Sequence, residues 1–258
     1  MNPQAARPAR SDMSCEEGER AVGRLIHSGP LLWTGLPEDP RITTYLPPRY
    51  DETDARHPLA IFFDGQNLFD DEGSHRGGWQ LHRLLDYRAC RGERVPIAVG
   101  IHTGGFSRGE ILNPWGRGEH FVDWMARWLV PTLRAELRVA EGAENVLLGG
   151  SSLGALLALY GTFRRPDVFG SAIAMSPAIA RTPLRDVAEH AAHGRGRVYL
   201  DAGARECECT GIMEETGKLA ELLHHRGDRA VTFRPDPEGT HDEQSWKRRL
   251  PAALQFAL

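Results

Sequence analysis

The sequence predicts a single domain of the α/β class, in which a mostly parallel β-sheet is covered by helices on both faces. Two continuous apolar runs, Pro58–Phe63 and Val95–Ile101, are typical of strands buried on both sides. Segments of strand character then alternate with segments of helical spacing, which is the pattern of parallel βαβ units. With 258 residues and neither a linker nor an internal repeat, the chain is long enough for one large core.

Each element can be placed in order along the chain. Strands are predicted at Arg41–Leu46, Pro58–Phe63, Val95–Ile101, Asn145–Gly150, Ser171–Met175, Arg197–Ala202 and Ala230–Arg234. Helices are predicted at Trp79–Ala89, Phe121–Leu137, Gly154–Tyr160, Ile212–His225 and from Asp242 onward. The polar stretch His102–Gly118 exceeds an ordinary connection, which favours a functional loop. Residues 1–22 contain proline, serine and charges but no apolar segment, so we expect a disordered leader before a domain of residues 23–258.

Composition narrows the classes of function. The formal net charge is −4, so no overall positive field favours nucleic acid or an anionic membrane. No segment approaches the roughly 20 apolar residues of a membrane span. The cysteines Cys15, Cys90, Cys207 and Cys209 lack metal-ligand spacing, and the last two are too close for an easy disulfide. We therefore expect reduced cysteines, a cytoplasmic protein, and neither a metal nor another cofactor, while a homo-oligomer stays open.

The stretch Gly150-Ser151-Ser152-Leu153-Gly154 carries the clearest chemical signal. It is a G-x-S-x-G pattern between a predicted strand and a predicted helix, and in that context it forms a sharp turn that lifts the central hydroxyl clear of the sheet. The alternative is a plain glycine-rich turn in which a serine caps the helix. The pattern therefore predicts a nucleophile at Ser152 only if an acid and a base follow in the chain.

Acyl transfer by serine needs a histidine base and a carboxylate that orients it, here in the order serine, acid, histidine. Glu206 lies on the loop after the strand Arg197–Ala202, with Glu208 and Asp201 as rivals for the acid. His241 lies on the loop before the last helix, where a histidine can reach back over the sheet. The pattern predicts Glu206 as acid and His241 as base.

An oxyanion hole requires backbone N–H donors near the nucleophile. We expect one from Leu153, at the start of the helix, and one from Gln66, in the turn after the strand that ends at Phe63. In the long polar loop, Arg108, Glu110 and Trp115 are candidate substrate-binding residues, although the two charged side chains could equally form a structural salt bridge.

Several motifs together resemble the esterase D-like group, known as the Putative esterase family, of the α/β-hydrolases. They are Asp64-Gly-Gln-Asn67, Val99-Gly-Ile101 with the charged loop that follows, Gly150-Ser-Ser-Leu-Gly154, Pro166-Asp-Val-Phe-Gly170 with Ser176-Pro177, and Gly239-Thr-His-Asp242 with Trp246. Within the group, Ala202–Glu206 and Gly239–Trp246 are most similar to the enterochelin (ferric siderophore) esterases. The resemblance runs from about Arg41 to the C-terminus.

The resemblance implies a single-domain α/β-hydrolase fold and a cofactor-free carboxylic-ester hydrolase with Ser152, His241 and Glu206 as its triad. The substrate expected from it is a siderophore-like or other small-molecule ester. An acyltransferase on the same fold, a carbohydrate acetyl or feruloyl esterase, and a silent binding protein are alternatives. The siderophore esterases commonly carry an extra N-terminal domain, and only about forty residues precede the first predicted strand, which leaves other esters open.

Overall fold

The computed structural model describes residues 21–31, 40–74, 76–105, 107–207 and 211–258. Its strands are β1 (Arg24–Ser28), β2 (Arg41–Leu46), β3 (Leu59–Phe63), β4 (Ile97–His102), β5 (Val146–Ser151), β6 (Ser171–Met175), β7 (Arg197–Gly203) and β8 (Ala230–Asp236). Its helices are α1 (Leu81–Cys90), α2 (Arg108–Ile111), α3 (Glu119–Trp124), α4 (Val130–Glu136), α5 (Leu153–Arg164), α6 (Leu184–His190), α7 (Ile212–Arg226) and α8 (Glu243–Ala257). A π-type segment, Met125–Leu129, joins α3 to α4 without a break.

The described strands form one sheet in the order β1-β2-β4-β3-β5-β6-β7-β8. The pairs β1–β2 and β2–β4 are antiparallel, and every other pair is parallel. The strands from β3 to β8 therefore end at the same edge of the sheet. In such sheets the loops at the carboxyl ends of the strands form the binding crevice.

The sheet is buried on both faces, as strand β3 illustrates. Leu59, Ile61 and Phe63 point into one apolar core, while Ala60 and Phe62 point into a second. The first core is closed by apolar residues of α3 to α7, and the second by those of α1 and α8. The α/β class, with a mostly parallel sheet and helices on both faces, is confirmed.

The strand β1 and the helix α6 were not predicted. β1 is an edge strand whose neighbouring Leu25 and Ile26 show no alternation in sequence, and its pairing with β2 makes it a strand. α6 buries only Leu184 and Ala188, which is too few residues to create a periodic signal. The predicted loop His102–Gly118 is partly ordered, because α2 and a π-type turn, Pro114–Gly118, lie within it. Most of the predicted leader, residues 1–20, lies outside the described residues.

The expectation of reduced cysteines is wrong for Cys90 and Cys207, since both are disulfide-bonded. The prediction was based on the spacing of the cysteines along the chain, and this spacing does not show which thiols are oxidised in the folded protein. The cytoplasmic location was predicted from reduced cysteines. Because disulfides persist mainly in oxidising compartments, the cysteines no longer support that prediction. Over the described residues, no helix is both long and apolar enough to cross a bilayer.

Candidate active site

The turn between β5 and α5 holds Ser152 in a strained conformation. Its backbone angles are φ 54° and ψ −119°, a region that residues other than glycine rarely adopt. The turn is tight because two glycines touch: a Cβ added to Gly150 would lie 2.7 Å from the carbonyl carbon of Gly154. The Ser152 N–H donates to Met175 O at 3.0 Å, which ties the turn to the end of β6.

The structure brings Ser152, His241 and Glu206 together. His241 Nε2 lies 2.9 Å from Ser152 Oγ, and His241 Nδ1 lies 2.9 Å from Glu206 Oε2. The Glu206 carboxylate orients the ring, so its other nitrogen faces the serine hydroxyl. Hydrogen bonds of this length allow proton transfer from the serine to the histidine and back to a leaving group.

The loop that carries Glu206 and the loop that carries His241, here called the acid loop and the base loop after their predicted roles, are joined by their backbones. Ala204 N–H donates to Asp236 O at 2.8 Å, and Arg205 N–H donates to Gly239 O at 2.9 Å. The two loops leave the neighbouring parallel strands β7 and β8, so their first residues meet directly. Trp246, one turn into α8, packs edge-on against the His241 ring with centroids 5.0 Å apart. These contacts hold the histidine between the other two side chains.

Glu206 is a buried carboxylate with several donors. Its Oε1 accepts from Ser176 Oγ at 2.5 Å and from Gly203 N–H at 2.7 Å, which leaves Oε2 for His241. Burial raises the pKa of the Glu206 carboxyl, but its hydrogen bonds to His241, Ser176 and a backbone N–H outweigh burial and bring that pKa below its ordinary value. The carboxylate is therefore held in its charged form.

Of the two rivals of Glu206, the structure describes only Asp201. Glu208 is outside the described residues. Asp201 is completely buried inside β7, where it accepts from Ser176 N–H and lies 3.5 Å from Arg249 Nε. Burial raises the pKa of Asp201 to about 7, against the opposing effect of Arg249. Asp201 thus lies behind Glu206 and contacts Ser176 and Arg249, which both reach the Glu206 carboxylate.

The two expected oxyanion donors lie at the beginning of two short segments that each follow a strand. Leu153 is the first residue of α5, so its N–H has no acceptor within the helix. Gln66 lies in a single turn of 3₁₀ helix, Gly65–Asn67, directly after β3. The start of α5 lies against the end of β3, because a Cβ added to Gly154 would lie 3.2 Å from Phe63 Cβ and 3.5 Å from the side chain of Asp64, the residue before the 3₁₀ turn.

Asp64, the residue before that 3₁₀ turn, anchors it. It is left-handed, with φ 56°, and its side chain is only 4% exposed. Arg108 binds it in a bidentate manner, with Nε 2.8 Å from Oδ1 and Nη2 2.7 Å from Oδ2. The Thr103 hydroxyl adds a third hydrogen bond at 2.9 Å, and Gln66 Nε2 a fourth at 3.3 Å. The hydrogen bond from Arg108 to Asp64, which outweighs the effect of burial, raises the pKa of the guanidinium.

The three candidate substrate-binding residues are therefore placed differently from one another. Arg108 contacts the turn that carries Gln66, and the structural salt bridge left open by the sequence is made with Asp64 rather than with Glu110. Glu110 pairs with Arg117 at 3.0 Å on the surface. Trp115 is 44% exposed and packs edge-on against Tyr160, two turns along α5 from the elbow. A substrate-binding role for the three residues stays a prediction.

Two features near the site were not expected. Ser176 and Arg249 support Glu206 from behind, and only the proximity of β6, β7 and α8 in space reveals it. A cavity of about 330 Å³ lies beside the acid loop, lined by Gly203, Ala204, Glu206, Cys207, Gly211, Ile212, Met213 and Glu214. In the described part of the chain, no group of three or more His, Cys, Asp or Glu side chains could hold a metal ion.

Comparison with known proteins gives both a family and a fold. The family model described as Putative esterase matches residues 34–257. The Iron(III) salmochelin esterase of Escherichia coli O6:H1 (strain CFT073) is 31% identical over 151 residues, which cover 56% of this chain and 34% of that protein. The chain thus spans about a third of that relative.

Two solved structures share the fold. The siderophore hydrolase EstA from Aspergillus nidulans has a TM-score of 0.72 at 16% identity, over 94% of this chain and 96% of that one. A ferulic acid esterase has a TM-score of 0.69 at 16% identity, over 91% of this chain and 98% of that one. At these identities the likeness concerns the fold alone. The match of the family model over most of the chain shows that the protein belongs to the Putative esterase family and is a carboxylic ester hydrolase.

Proposed function

We propose that the protein hydrolyses its ester through an acyl-enzyme formed on Ser152. The observation that carries this proposal is the position of His241, whose two ring nitrogens lie 2.9 Å from Ser152 Oγ and 2.9 Å from Glu206 Oε2. The strained backbone of Ser152 supports the same role, because such strain is retained mainly where function needs it.

In the first half of the reaction, His241 Nε2 takes the hydroxyl proton while Ser152 Oγ attacks the ester carbonyl carbon. The carbonyl oxygen becomes an oxyanion, and the N–H groups of Leu153 and Gln66 stabilise it. Glu206 stabilises the imidazolium without taking its proton. The carbon–oxygen bond then breaks, His241 protonates the departing alkoxide, and the acyl group remains on Ser152.

In the second half, a water molecule replaces the alcohol. His241 takes a proton from this water, the hydroxide attacks the acyl carbon, and the same donors hold the second oxyanion. Collapse of this intermediate returns the proton to Ser152 Oγ and releases the carboxylic acid. An acceptor alcohol in place of water would make the enzyme an acyltransferase, so product analysis with added alcohols belongs to the test.

For the substrate we propose a siderophore-like ester. The support is the 31% identity to a protein named Iron(III) salmochelin esterase, together with a fold shared over 94% of this chain and 96% of a siderophore hydrolase. A hydroxycinnamoyl ester is the second candidate, because the fold also covers 98% of a ferulic acid esterase. Glu110 and Trp115 would line the outer part of the site, beyond the reacting atoms.

The experiment compares hydrolysis of a short-chain aryl ester by the wild-type protein, Ser152→Ala and His241→Ala. We expect kcat to fall by about 10³-fold or more in both variants, since the residual rate reflects binding and the oxyanion hole alone. Ser28→Ala on the edge strand and His190→Ala at the end of α6 are matched controls that should keep full activity. Unchanged turnover in either Ser152→Ala or His241→Ala would refute the proposal.

Covalent labelling and a substrate panel complete the test. A fluorophosphonate should add its mass to the wild-type protein, and peptide mapping should place it on Ser152. Enterobactin and methyl ferulate, assayed in parallel, separate the two substrate classes by their kcat/KM values. A higher kcat/KM for methyl ferulate would reject the siderophore-like substrate while leaving the serine mechanism intact.

A further inference from the structure

Ser176 lies directly after β6, behind the triad acid, and is completely buried. Its hydroxyl has three polar neighbours. Trp246 Nε1 lies 3.0 Å away, Arg249 Nη2 lies 2.9 Å away, and Glu206 Oε1 lies 2.5 Å away. The indole and guanidinium groups come from α8, while the carboxylate comes from the loop after β7.

The chemistry of these neighbours decides where the hydroxyl proton goes. A serine hydroxyl offers one donor and two acceptor positions, whereas an indole N–H and a guanidinium N–H can only donate. Trp246 and Arg249 therefore occupy both acceptor positions, and the single proton is left for Glu206 Oε1. We propose, on the basis of the proposed function, that Ser176 is a positioning residue for the triad acid. Its hydroxyl proton, directed by Trp246 and Arg249, fixes Glu206 Oε1 so that Oε2 faces His241.

The backbone of Ser176 is built for this contact. Its φ is 48°, in the left-handed region that favours glycine, so the serine side chain is kept at a conformational cost. The Ser176 N–H donates to Asp201 O at 3.0 Å and to Asp201 Oδ1 at 3.1 Å, which holds the residue in that conformation. Arg249 is held in turn, since its Nε lies 3.5 Å from Asp201 Oδ2.

This arrangement gives the two carboxylate oxygens of Glu206 different tasks. Oε1 is bound to Ser176 and to a backbone N–H, and Oε2 alone is available to the histidine. The charged and titratable groups that face Glu206 are His241, Arg249 at 3.9 Å, and the buried Asp201. Without the Ser176 proton, more negative charge would remain on Oε2, and protonated His241 would be stabilised against the neutral form that acts as base.

The test uses the full chain and two variants that remove the hydroxyl in different ways. Ser176→Ala keeps a Cβ at a residue with left-handed backbone angles, whereas Ser176→Gly also removes the backbone strain. At least one of the two variants should therefore fold. We expect kcat to fall about tenfold or more with KM within about twofold, because a small displacement of the acid misaligns the base. The acidic limb of the pH profile of kcat/KM should move to higher pH.

Ser171→Ala is the matched control. Ser171 is a buried serine at the opposite end of β6, where its hydroxyl accepts from Arg197 N–H at 3.1 Å. This variant loses a comparable hydrogen bond, so its melting temperature should also fall, but its acidic limb should stay in place. If the role of Ser176 were purely structural, the Ser176 variants would also show a lower melting temperature with an unchanged acidic limb.

A double-mutant cycle with Trp246→Phe tests the direction of the proton. This variant keeps an aromatic ring beside His241 and removes the indole donor, which frees one acceptor position of Ser176. It also removes part of the buried ring volume, an effect that should be the same with and without the Ser176 hydroxyl. Trp246→Phe should lower kcat on its own and have a smaller effect in the Ser176→Gly background, because the hydroxyl it directs is then missing. Equal effects in the two backgrounds would overturn the directing role.

The positioning role and the serine mechanism can fail separately. If Ser152→Ala abolishes turnover while both Ser176 variants keep the wild-type kcat and acidic limb, the positioning role is wrong and the mechanism stands. Variants that lose activity only in proportion to folded enzyme, measured by fluorophosphonate titration, would also overturn it. If Ser152→Ala remains active, the proposed function itself fails.

Discussion

The ion pair between Arg108 and Asp64 yields the most discriminating prediction about the site. The substitution Arg108→Gln removes two charge-assisted hydrogen bonds, at 2.8 and 2.7 Å, from a carboxylate that is only 4% exposed. The Thr103 hydroxyl and the Gln66 amide remain as donors but bring no charge. Asp64 would then be a buried anion without a counter-ion.

The size of the effect follows from the burial of the two partners. Breaking a buried ion pair by removing one member costs about 3–5 kcal/mol. The Arg108 side chain is 33% exposed, so water can partly replace it, and we expect the lower end of that range. A loss of about 3 kcal/mol in a domain of this size lowers the melting temperature by about 6–12 °C.

Two measurements separate support of the turn from substrate binding. Differential scanning calorimetry should give the lower melting temperature. Steady-state kinetics should show a lower kcat with a nearly constant KM, because in the proposed mechanism the Gln66 N–H acts in the transition state. The double variant Asp64→Asn, Arg108→Gln should regain part of the stability, since no unpaired charge is then buried.

Arg24→Gln serves as the control, because Arg24 pairs with Asp51 at an exposed position on the edge of the sheet. It should change the free energy of unfolding by less than about 1 kcal/mol. If Arg108→Gln keeps the wild-type melting temperature and raises only KM, Arg108 contacts the substrate, and the argument for its support of the turn is refuted.

Three further predictions concern other parts of the structure. Glu206→Gln should lower kcat by about 10³- to 10⁴-fold, because an amide no longer holds the imidazole of His241 in the tautomer that can accept the serine proton. Glu208→Gln should keep full activity, and the reverse result would exchange the roles of the two residues. Burial raises the pKa of Asp228, but hydrogen bonds and two arginines outweigh it and hold that pKa at about 2, below the ordinary 3.8. This buried carboxylate therefore stabilises the fold at neutral pH by about 2 kcal/mol, a contribution lost as pH falls through 3.8 towards 2. The melting temperature of Asp228→Asn should lie below that of the wild type at pH 7 and converge with it near pH 2, and a constant gap would contradict this. Gly65→Ala should unfold or inactivate the protein, since its Cβ would lie 2.4 Å from a carbonyl carbon of β4, whereas Gly109→Ala, with open space around it, should be neutral by calorimetry.

The fold could be predicted from the sequence because its signals are local. Continuous apolar runs such as Leu59–Phe63 report burial on both faces, and helical spacing marks α7 and α8. β1 could not be predicted, since an edge strand of five residues gains its character from pairing with β2 rather than from its own pattern. Residue order also predicted which serine, glutamate and histidine the structure brings together.

The support of the site could not be predicted in the same way. Arg108 and Asp64 are 44 positions apart, and Ser176 is 70 positions from Trp246. Nothing in their local sequence signals these contacts, because they depend on how α2 and α8 pack against the ends of the strands. The oxidised state of Cys90 and Cys207 likewise could not be predicted from their spacing along the chain.

The backbone hydrogen bonds between the acid loop and the base loop have a consequence for protein engineering. Ala204 and Arg205 are bonded to Asp236 and Gly239, so the two loops behave as a single module. A graft that replaces only one of them would break this pairing and separate the glutamate from the histidine. The segment from α2 to Gly118 makes no such pairing with either loop among the described contacts. With Arg108 kept, because it supports the turn that carries Gln66, the rest of this segment is a place where libraries for altered ester preference can be introduced without disturbing the pairing of the two loops.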